Sequence, residues 1–485
     1  MSFVKGQDRE QIVMSSLEDM IPLDSQVRLM DLLVDGVISQ DPESYHWKGL
    51  SDSGRPAYSP SVLLKLYLYG YSNKIVSSRK LEIECKRNIE LKWLLKNLSP
   101  DFKTIADYRK DNSVAISKMT VSFKVLLKNS DLITGNLVAL DGTKIKANAS
   151  PARNLNEEDI KKRICSYEEE ISNYLSLLQQ NDIKEDLTET DIDDFTTIES
   201  ITEKISDLRA KKEYLQNSLK RRKDNNDINV SSTDSESRLV KNRKEMFYGY
   251  NLQVLVDSLY KLIISARMQQ SPNDLNQMLP LLDNLKKELD IEPEEIVADR
   301  GYSNTRAIQD IEKERSTNVY VPIDEPKGEF SKQNFAYDVD NNQYICPKGH
   351  VLKQTKGLHK KRNRLYLIYQ CNSTECDQCP SKLDCTKSTR GRTITRFLDE
   401  EWVKKYKQRI RDDRGNSLLQ KRMAMIEHVF GILKCWMGKI PLLMRGRKKV
   451  QTEINLYVTA YNLKRVITLF GFDQVKAMIL SLNHS

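Results

Sequence analysis

Between residues 136 and 323 the apolar pattern switches between a two-residue and a 3.6-residue period, and this alternation limits the fold more than any other feature. The stretch LVALDGTKIKANAS, from Leu137, runs apolar for four residues, stops at Asp141, turns at Gly142 and resumes as Thr143, Lys144, Ile145 and Lys146. It reads as a buried strand whose end is Asp141. In MFYGYNLQVLVDS, Tyr250, Leu252, Val254 and Val256 alternate with Asn251, Gln253 and Leu255, as in a second strand. KLIISARMQQ gives a third, DLNQMLPLLDNLKKEL a helix, and EEIVADRGY a short strand of Ile296, Val297 and Ala298 that stops at Asp299. A further helix and the strand NVYVPID complete an α/β order, and in open α/β sheets functional groups gather at strand ends.

Two helical regions flank or interrupt this order. Residues 1–130 read as a small helical module with a basic surface; YSPSVLLKLYLYGYSN places Ser59 as N-cap and Pro60 at the first helical position. Residues 151–230 read as a helical hairpin or short coiled coil, with stripes at Tyr167, Ile171, Tyr174 and Leu178 and at Ile201, Ile205, Leu208, Leu215 and Leu219, and with Lys212 as the misfit. The acidic stretch between the stripes is expected to be a solvated loop.

Composition narrows the function classes. Of 485 residues, 39% are hydrophobic and 30% charged, a soluble globular balance too long for one ordinary core. No run approaches the roughly 18 apolar residues of a membrane span, and the N-terminus lacks the apolar core of a signal peptide, so a cytoplasmic protein is expected. The net charge of +9 favours a polyanionic partner.

Buried carboxylates cost several kcal/mol unless paired or bound to a cation. Asp141 and Asp299 each follow an apolar run and precede a glycine, and either alone reads as a turn residue. A third acid comes from KRMAMIEHVFGILKCWMGKI, where Met423, Ile426, Phe430, Leu433 and Met437 form one stripe. Glu427 adjoins that stripe and is expected to face the protein, with Lys434 two turns on along the same face.

The motifs DGTKIKANAS, YGYNLQVLVD, VADRGYSN, IEHVFGILK and LLMRGRKKVQTEINLYVTAYNLKRVI, in this order, resemble the DDE transposases of bacterial insertion sequences, in particular the branch numbered eleven-eighty-two. YSPSVLLKLYLYGYSN resembles the helical N-terminal domain of the same group. The strand and helix order is that of a ribonuclease-H-like core. The resemblance implies residues 1–130 as a helical domain of DNA-binding type and 131–340 as the first part of the core, interrupted by the insert at 151–230. A cysteine-rich insert at 341–395 and the C-terminal helical part of the core at 396–485 follow. It implies an enzyme that cuts the ends of its element and joins them to target DNA, with Asp141, Asp299 and Glu427 as catalytic acids holding two Mg²⁺ or Mn²⁺ ions. Lys434 matches the lysine of the related Tyr-Arg-Glu-Lys signature. Arg422 stands one residue further from Glu427 than the signature's arginine, and the tyrosine is absent, Leu419 or Gln420 standing in its place. The implied partners are double-stranded DNA, as terminal inverted repeats and target, and a second copy of the chain. Two other readings fit the same residues: an inactive DNA-binding descendant, and a metal-dependent nuclease of the same fold.

Five of the 8 cysteines lie between 346 and 385. The Cys-x-x-Cys of CDQCPSKLDC with two further thiols meets zinc's need for four ligands, with Cys346, Cys376, Cys379 and Cys385 as the ligand set and Cys371 and His350 in reserve. A metal-free insert of reduced cysteines is the alternative, and Cys85, Cys165 and Cys435 are expected to be packing residues. The basic runs KQTKGLHKKRNR and RGRKKV are solvated faces or phosphate contacts; as contacts they offer Lys361, Arg362 and Arg445, with Arg422 beside Glu427.

Overall fold

The structure is a computed structural model. It describes residues 10–484 apart from 11, 13, 46–55, 150–153, 156, 186–201, 203, 207, 210, 211, 214, 218, 220–229, 232, 235, 242–244, 272, 325, 326, 362, 363 and 437–441. The chain divides into two compact units, one of residues 1–135, 141–292 and 426–485, the other of 136–140 and 293–425.

The first unit opens with helices α1 (Gln26–Gln40), α2 (Pro60–Ser72), α3 (Ser78–Arg87), α4 (Ile89–Leu94), α5 (Phe102–Asp111) and α6 (Ser113–Asn129). In α1 the buried Leu29, Met30, Leu33, Val34 and Val37 follow the 3.6-residue period. The start of α2 is as the sequence predicts: Pro60 opens it, and the Ser59 hydroxyl accepts from the Ser61 N–H at 3.3 Å. Every residue from Leu63 to Ser72 is buried, which marks α2 as the central helix of the group. Its buried Lys65 is charge-balanced by Asp31 and Asp35 of α1 at 2.6 and 2.7 Å.

Strand β1 (Leu137–Lys146) is shared: its first four residues belong to the second unit and the rest to the first. In the first unit β1 neighbours β3 (Met246–Asp257), which pairs antiparallel with β2 (Arg238–Lys241) on its far side and with β4 (Ile263–Gln269). Strand β3 is buried on both faces after Met246, as a central strand is. Helix α8 (Met278–Leu289) follows β4.

The last helix, α14 (Arg447–Leu480), supplies β4 with the hydrogen bonds of a missing neighbour strand. The Gln451 amide accepts from the Met268 N–H at 2.8 Å and donates to the Ala266 carbonyl at 2.9 Å. The Asn462 amide does the same for both backbone groups of Ile263, at 2.9 Å each. Four polar backbone groups at a covered sheet edge are thereby satisfied. The same helix packs on the N-terminal group, with Tyr457 edge-on to Tyr71 at 4.7 Å and Thr459 hydrogen-bonded to Thr120 at 2.8 Å.

In the insert, Tyr167, Leu215 and Leu219 of the predicted stripes share a small apolar cluster, while Ile201 lies outside the described residues. Helix α7 (Glu157–Glu185) packs Ile160 against Leu215, with Ile164, Tyr167 and Leu219 around them. A two-residue ladder of Asn154 and Leu155 with Ser231 and Val230 closes its base. Lys212, out of place in the apolar stripe, forms an ion pair with Glu168 of α7 at 2.8 Å.

In the second unit Leu137–Leu140 pair parallel with β5 (Glu295–Ala298), and β5 pairs parallel with β6 (Asn318–Tyr320). Helix α9 (Thr305–Arg315) links them. The cysteine-rich segment holds a second sheet that the sequence did not lead us to expect. Its strands are β7 (Ala336–Asp338), β8 (Gln343–Ile345), β9 (Val351–Gln354), β10 (His359–Lys361), β11 (Arg364–Cys371) and β12 (Thr393–Phe397). All pair antiparallel, in the order β10–β11–β9–β8–β7 with β12 on β11. Most of these strands have three or four residues, too few for a two-residue alternation to stand out. Between β11 and β12 lie the short helices α10 (Ser373–Asp377) and α11 (Lys382–Cys385). After β12, α12 (Glu400–Arg411) docks through the Tyr406 hydroxyl, which donates to the Val321 carbonyl at 3.0 Å and accepts from its N–H at 2.9 Å. Helix α13 (Asp413–Gly431) runs on from it. Among the described residues no helix is long and apolar enough to cross a membrane.

Candidate active site

Asp141 lies within β1, not at its end. The strand continues through Gly142 to Lys146, so the predicted turn at Gly142 is absent. The physical reason for the glycine is crowding. A Cβ at Gly142 would collide with the Gln253 amide nitrogen and lie 2.9 Å from Asp274 Oδ1 and 3.2 Å from Asn251 Oδ1. The Asp141 side chain is half-buried, and its Oδ1 accepts from the Gly142 N–H at 2.7 Å.

These neighbours form a polar cluster beside the acid that the sequence reading passed over. Asn251 and Gln253 of β3 are both buried, and their amides donate to Asp274 Oδ1 at 2.7 and 2.6 Å. The alternation in β3 reads as apolar-in, polar-out, yet here the polar side faces Asp274 and Gly142 instead of solvent. Among the described residues Asn251 Oδ1 is buried without a hydrogen-bond partner, a costly state that native folds reserve for special positions. The signal in the sequence was the pair of amides in an otherwise apolar strand.

In the second unit Asp299 follows β5 directly, as predicted. It caps a single 3₁₀ turn, Arg300–Tyr302, its Oδ1 accepting from the Gly301 N–H at 2.8 Å. The parallel register between β1 and β5 ends on the pair Leu140 and Ala298. Asp141 and Asp299 are the residues that come next in the chain after each member of that pair.

Glu427 departs from expectation. It is exposed on α13, and the buried face of that helix is Met425, Ile426, Val429 and Phe430, continuing to Leu433. Met423, placed on the predicted stripe, is 51% exposed, and Met437 lies outside the described residues. Ile426, Phe430 and Leu433 of the predicted stripe are buried, but the covered face extends on the side of Met425 and Val429, and Glu427, on the other side, faces outward. Lys434 also differs: residues Ile432–Trp436 form a π-helical turn, so the α-helical spacing from Glu427 does not hold. The exposed Lys434 ammonium sits over the Phe430 ring at 5.0 Å.

The expected DNA contacts lie on separate elements. Arg422 is half-buried on α13. Arg445 is exposed and donates to the Asn148 carbonyl at 3.1 Å, while the Asn148 amide donates to the Leu443 carbonyl at 2.9 Å, so this loop is tied to the chain just beyond β1. Lys361 ends β10, and Arg362 lies outside the described residues. The loop before α14 is fixed from below by the fully buried Glu453, whose carboxylate accepts from the N–H groups of Leu443 and Met444 at 3.0 and 2.6 Å.

Cys346, Cys371, Cys376, Cys379 and Cys385 all line one small cavity in the second unit. Among the described residues no three His, Cys, Asp or Glu side chains are already arranged around one ion position. Cys85 is buried as a packing residue, but Cys165 is exposed on α7, against expectation, and Cys435 lies where no side chain is described.

Comparison with known proteins bears on both ends of the chain. A family model for a transposase domain designated DUF772 matches residues 15–111, the N-terminal helices. A second, described as a transposase DDE domain, matches residues 345–467, from the cysteine-lined sheet through Glu427 to the middle of α14. No curated protein matches the chain significantly. A solved structure, a piggyBac transposase synaptic complex with hairpin DNA, aligns over 95% of this chain and 80% of its own, at 8% identity and a TM-score of 0.33. That score is too low to carry an argument. The two family models, both of transposases and matching separate parts of one chain, indicate a DDE transposase of an insertion-sequence type.

Proposed function

We propose that the chain cuts DNA at the ends of an insertion sequence and joins those ends to target DNA by metal-dependent phosphoryl transfer. The observation that carries this reading is the register of β1 and β5. Their parallel ladder ends on Leu140 and Ala298, and each is followed by one of the two aspartates that match the family's motifs. The strand succession supports a ribonuclease-H-like core: β4, β3 and β1 neighbour one another in the first unit, and β1, β5 and β6 in the second. In this reading residues 1–130 form the DNA-binding domain, 131–340 and 396–485 the core, and 151–230 and 341–395 its inserts.

Asp141, Asp299 and Glu427 are an all-oxygen donor set of the kind Mg²⁺ prefers, and they would hold the ions. Two bound ions supply activation of the attacking oxygen and stabilisation of the leaving one. The chain's own contribution is rigidity at the first acid. Gly142 and the Asn251–Gln253–Asp274 cluster fix β1 where Asp141 emerges, and the Gly142 N–H holds one carboxylate oxygen. Lys434, exposed at the π turn, is suited to the phosphate flanking the cut, as a point charge. The net charge of +9 agrees with DNA as substrate, and a second copy of the chain would hold the second end.

The test is a cleavage and joining assay with the element's terminal inverted repeats and Mg²⁺. Cleavage followed by joining is expected. Cleavage without joining would make the chain a nuclease, and end binding with neither step would make it an inactive descendant.

A further inference from the structure

We infer that the segment from Phe335 to Phe397 is held together by one structural zinc ion bound by Cys346, Cys376, Cys379 and Cys385, a site independent of the proposed cutting chemistry.

The four thiols reach one place from three pieces of chain. Cys346 follows β8 at the start of a tight turn, in which its carbonyl accepts from the Gly349 N–H at 2.8 Å and its N–H donates to the His350 carbonyl at 2.9 Å. Cys376 lies in α10, Cys379 just after it, with its N–H donating to the Cys376 carbonyl at 3.2 Å, and Cys385 ends α11. All four line a cavity of about 20 Å³, room for one water-sized occupant.

Backbone N–H groups stand beside two of the four sulfurs. The His350 N–H points at Cys346 Sγ at 3.3 Å, and the Arg392 N–H at Cys376 Sγ at 3.4 Å. Donors of this kind stabilise negative sulfur and orient metal ligands. Arg392 donates its side-chain N–H groups to the carbonyls of Cys385 and Phe330, so its positive charge lines the same cavity without being taken up in those bonds. Gly391, at φ +84°, lets this strand of the wall approach: a Cβ there would lie 2.7 Å from the Cys371 carbonyl oxygen and 3.4 Å from Cys376 Sγ.

The two other candidate ligands line the same cavity, and each also faces Glu375. Cys371 Sγ faces Glu375 Oε2 at 3.9 Å, and His350 Nδ1 faces the same oxygen at 3.7 Å. That leaves four cysteines, a complete tetrahedral set. The thiols line the cavity without standing at ligand distances, so binding requires the sulfurs to turn inward.

The need for a staple is plain from the core. Among the described residues this sheet of short strands gathers a buried cluster of Phe335, Tyr344, Leu352, Tyr369, Ile394 and two of the cysteines. A core that small rarely suffices, and a metal is one of the usual supplements.

Full-length protein, purified without a metal-affinity tag, should carry close to one zinc per chain by elemental analysis. The Cys376→Ser/Cys379→Ser variant should lose it, and Cys371→Ser should keep it. Should the double variant fail to fold, the unaltered protein exchanged with Co²⁺ alone still decides, since four thiolates give intense sulfur-to-cobalt charge-transfer absorption. Substoichiometric zinc without that absorption, a Cys376–Cys379 disulfide in thiol counts, or equal zinc loss in Cys371→Ser would each overturn the inference.

Discussion

Leu140 and Ala298 are the last partners of the parallel ladder between β1 and β5, and an aspartate follows each of them in the chain. Asp141 and Asp299 also share a local habit. Each accepts, through Oδ1, a hydrogen bond from a glycine N–H one or two residues on. An asparagine keeps that bond, so the exchange removes charge and leaves the fold alone.

Asp141→Asn and Asp299→Asn should therefore each depress cleavage and joining by more than about 100-fold, since even partners outside a metal's ligand set are worth roughly 10–100-fold. Binding to the terminal repeats should stay within a few-fold of the unaltered protein. Gel-shift and cleavage assays on the same preparations check this, and undiminished cleavage by either variant would remove that acid from the proposed site.

Gly142→Ala should destabilise the first unit by about 1–3 kcal/mol, the usual range for forcing an added carbon into a packed site. The collision is with the side chains of Gln253 and Asp274. Adding Gln253→Ala should make the double variant less unstable than the sum of the two single changes. Denaturant unfolding of the four proteins measures that coupling, and strict additivity would mean the crowding is relieved elsewhere.

Asn462→Ala should cost about 2–4 kcal/mol, because it strands the buried N–H and C=O of Ile263 together. Exchange of the Ile263 amide hydrogen should also quicken. A loss near 0.5 kcal/mol, the range of an ordinary surface change, would show that water replaces the amide at this edge.

Glu453 gives a pH dependence. Burial raises its carboxyl above the ordinary carboxylate range, against the opposing charge of Arg109 and the N–H groups of Leu443 and Met444. The folded chain thus holds this proton more tightly than the unfolded chain does. The resulting stabilisation is full below the ordinary glutamate pKa and is lost as pH rises through the raised value. Melting temperatures across that window should fall with pH more steeply for the unaltered protein than for Glu453→Gln. Parallel curves would contradict the assignment.

Much of the local structure was written in the sequence. The periods of Leu137–Leu140, Tyr250–Val256 and Ile296–Ala298 gave strands, Ser59 and Pro60 gave the start of α2, and Tyr167, Leu215 and Leu219 gave part of the insert's apolar cluster. These depend on neighbours a few residues away, which a pattern records. The aspartates after Leu140 and Ala298 stand out for the same reason, and Glu427 was picked out by the helical stripe beside it, with the family resemblance giving all three a proposed role.

What lay beyond the sequence depended on distant partners. That Gly142 continues a strand follows from Gln253 and Asp274, more than a hundred residues on. That Glu427 faces outward follows from which side of α13 finds a covering surface, here the side of Met425 and Val429 beside the predicted Ile426 and Phe430. That β4 is capped by Gln451 and Asn462 could not be read from either segment, since an amide becomes a substitute strand only once packing brings it there. Sequence thus determined the elements and the order of the acids along them. Tertiary packing decided which polar groups are buried, which way each acid faces and which cysteines share a cavity, because each of these is set by what covers a side chain and not by the side chain itself.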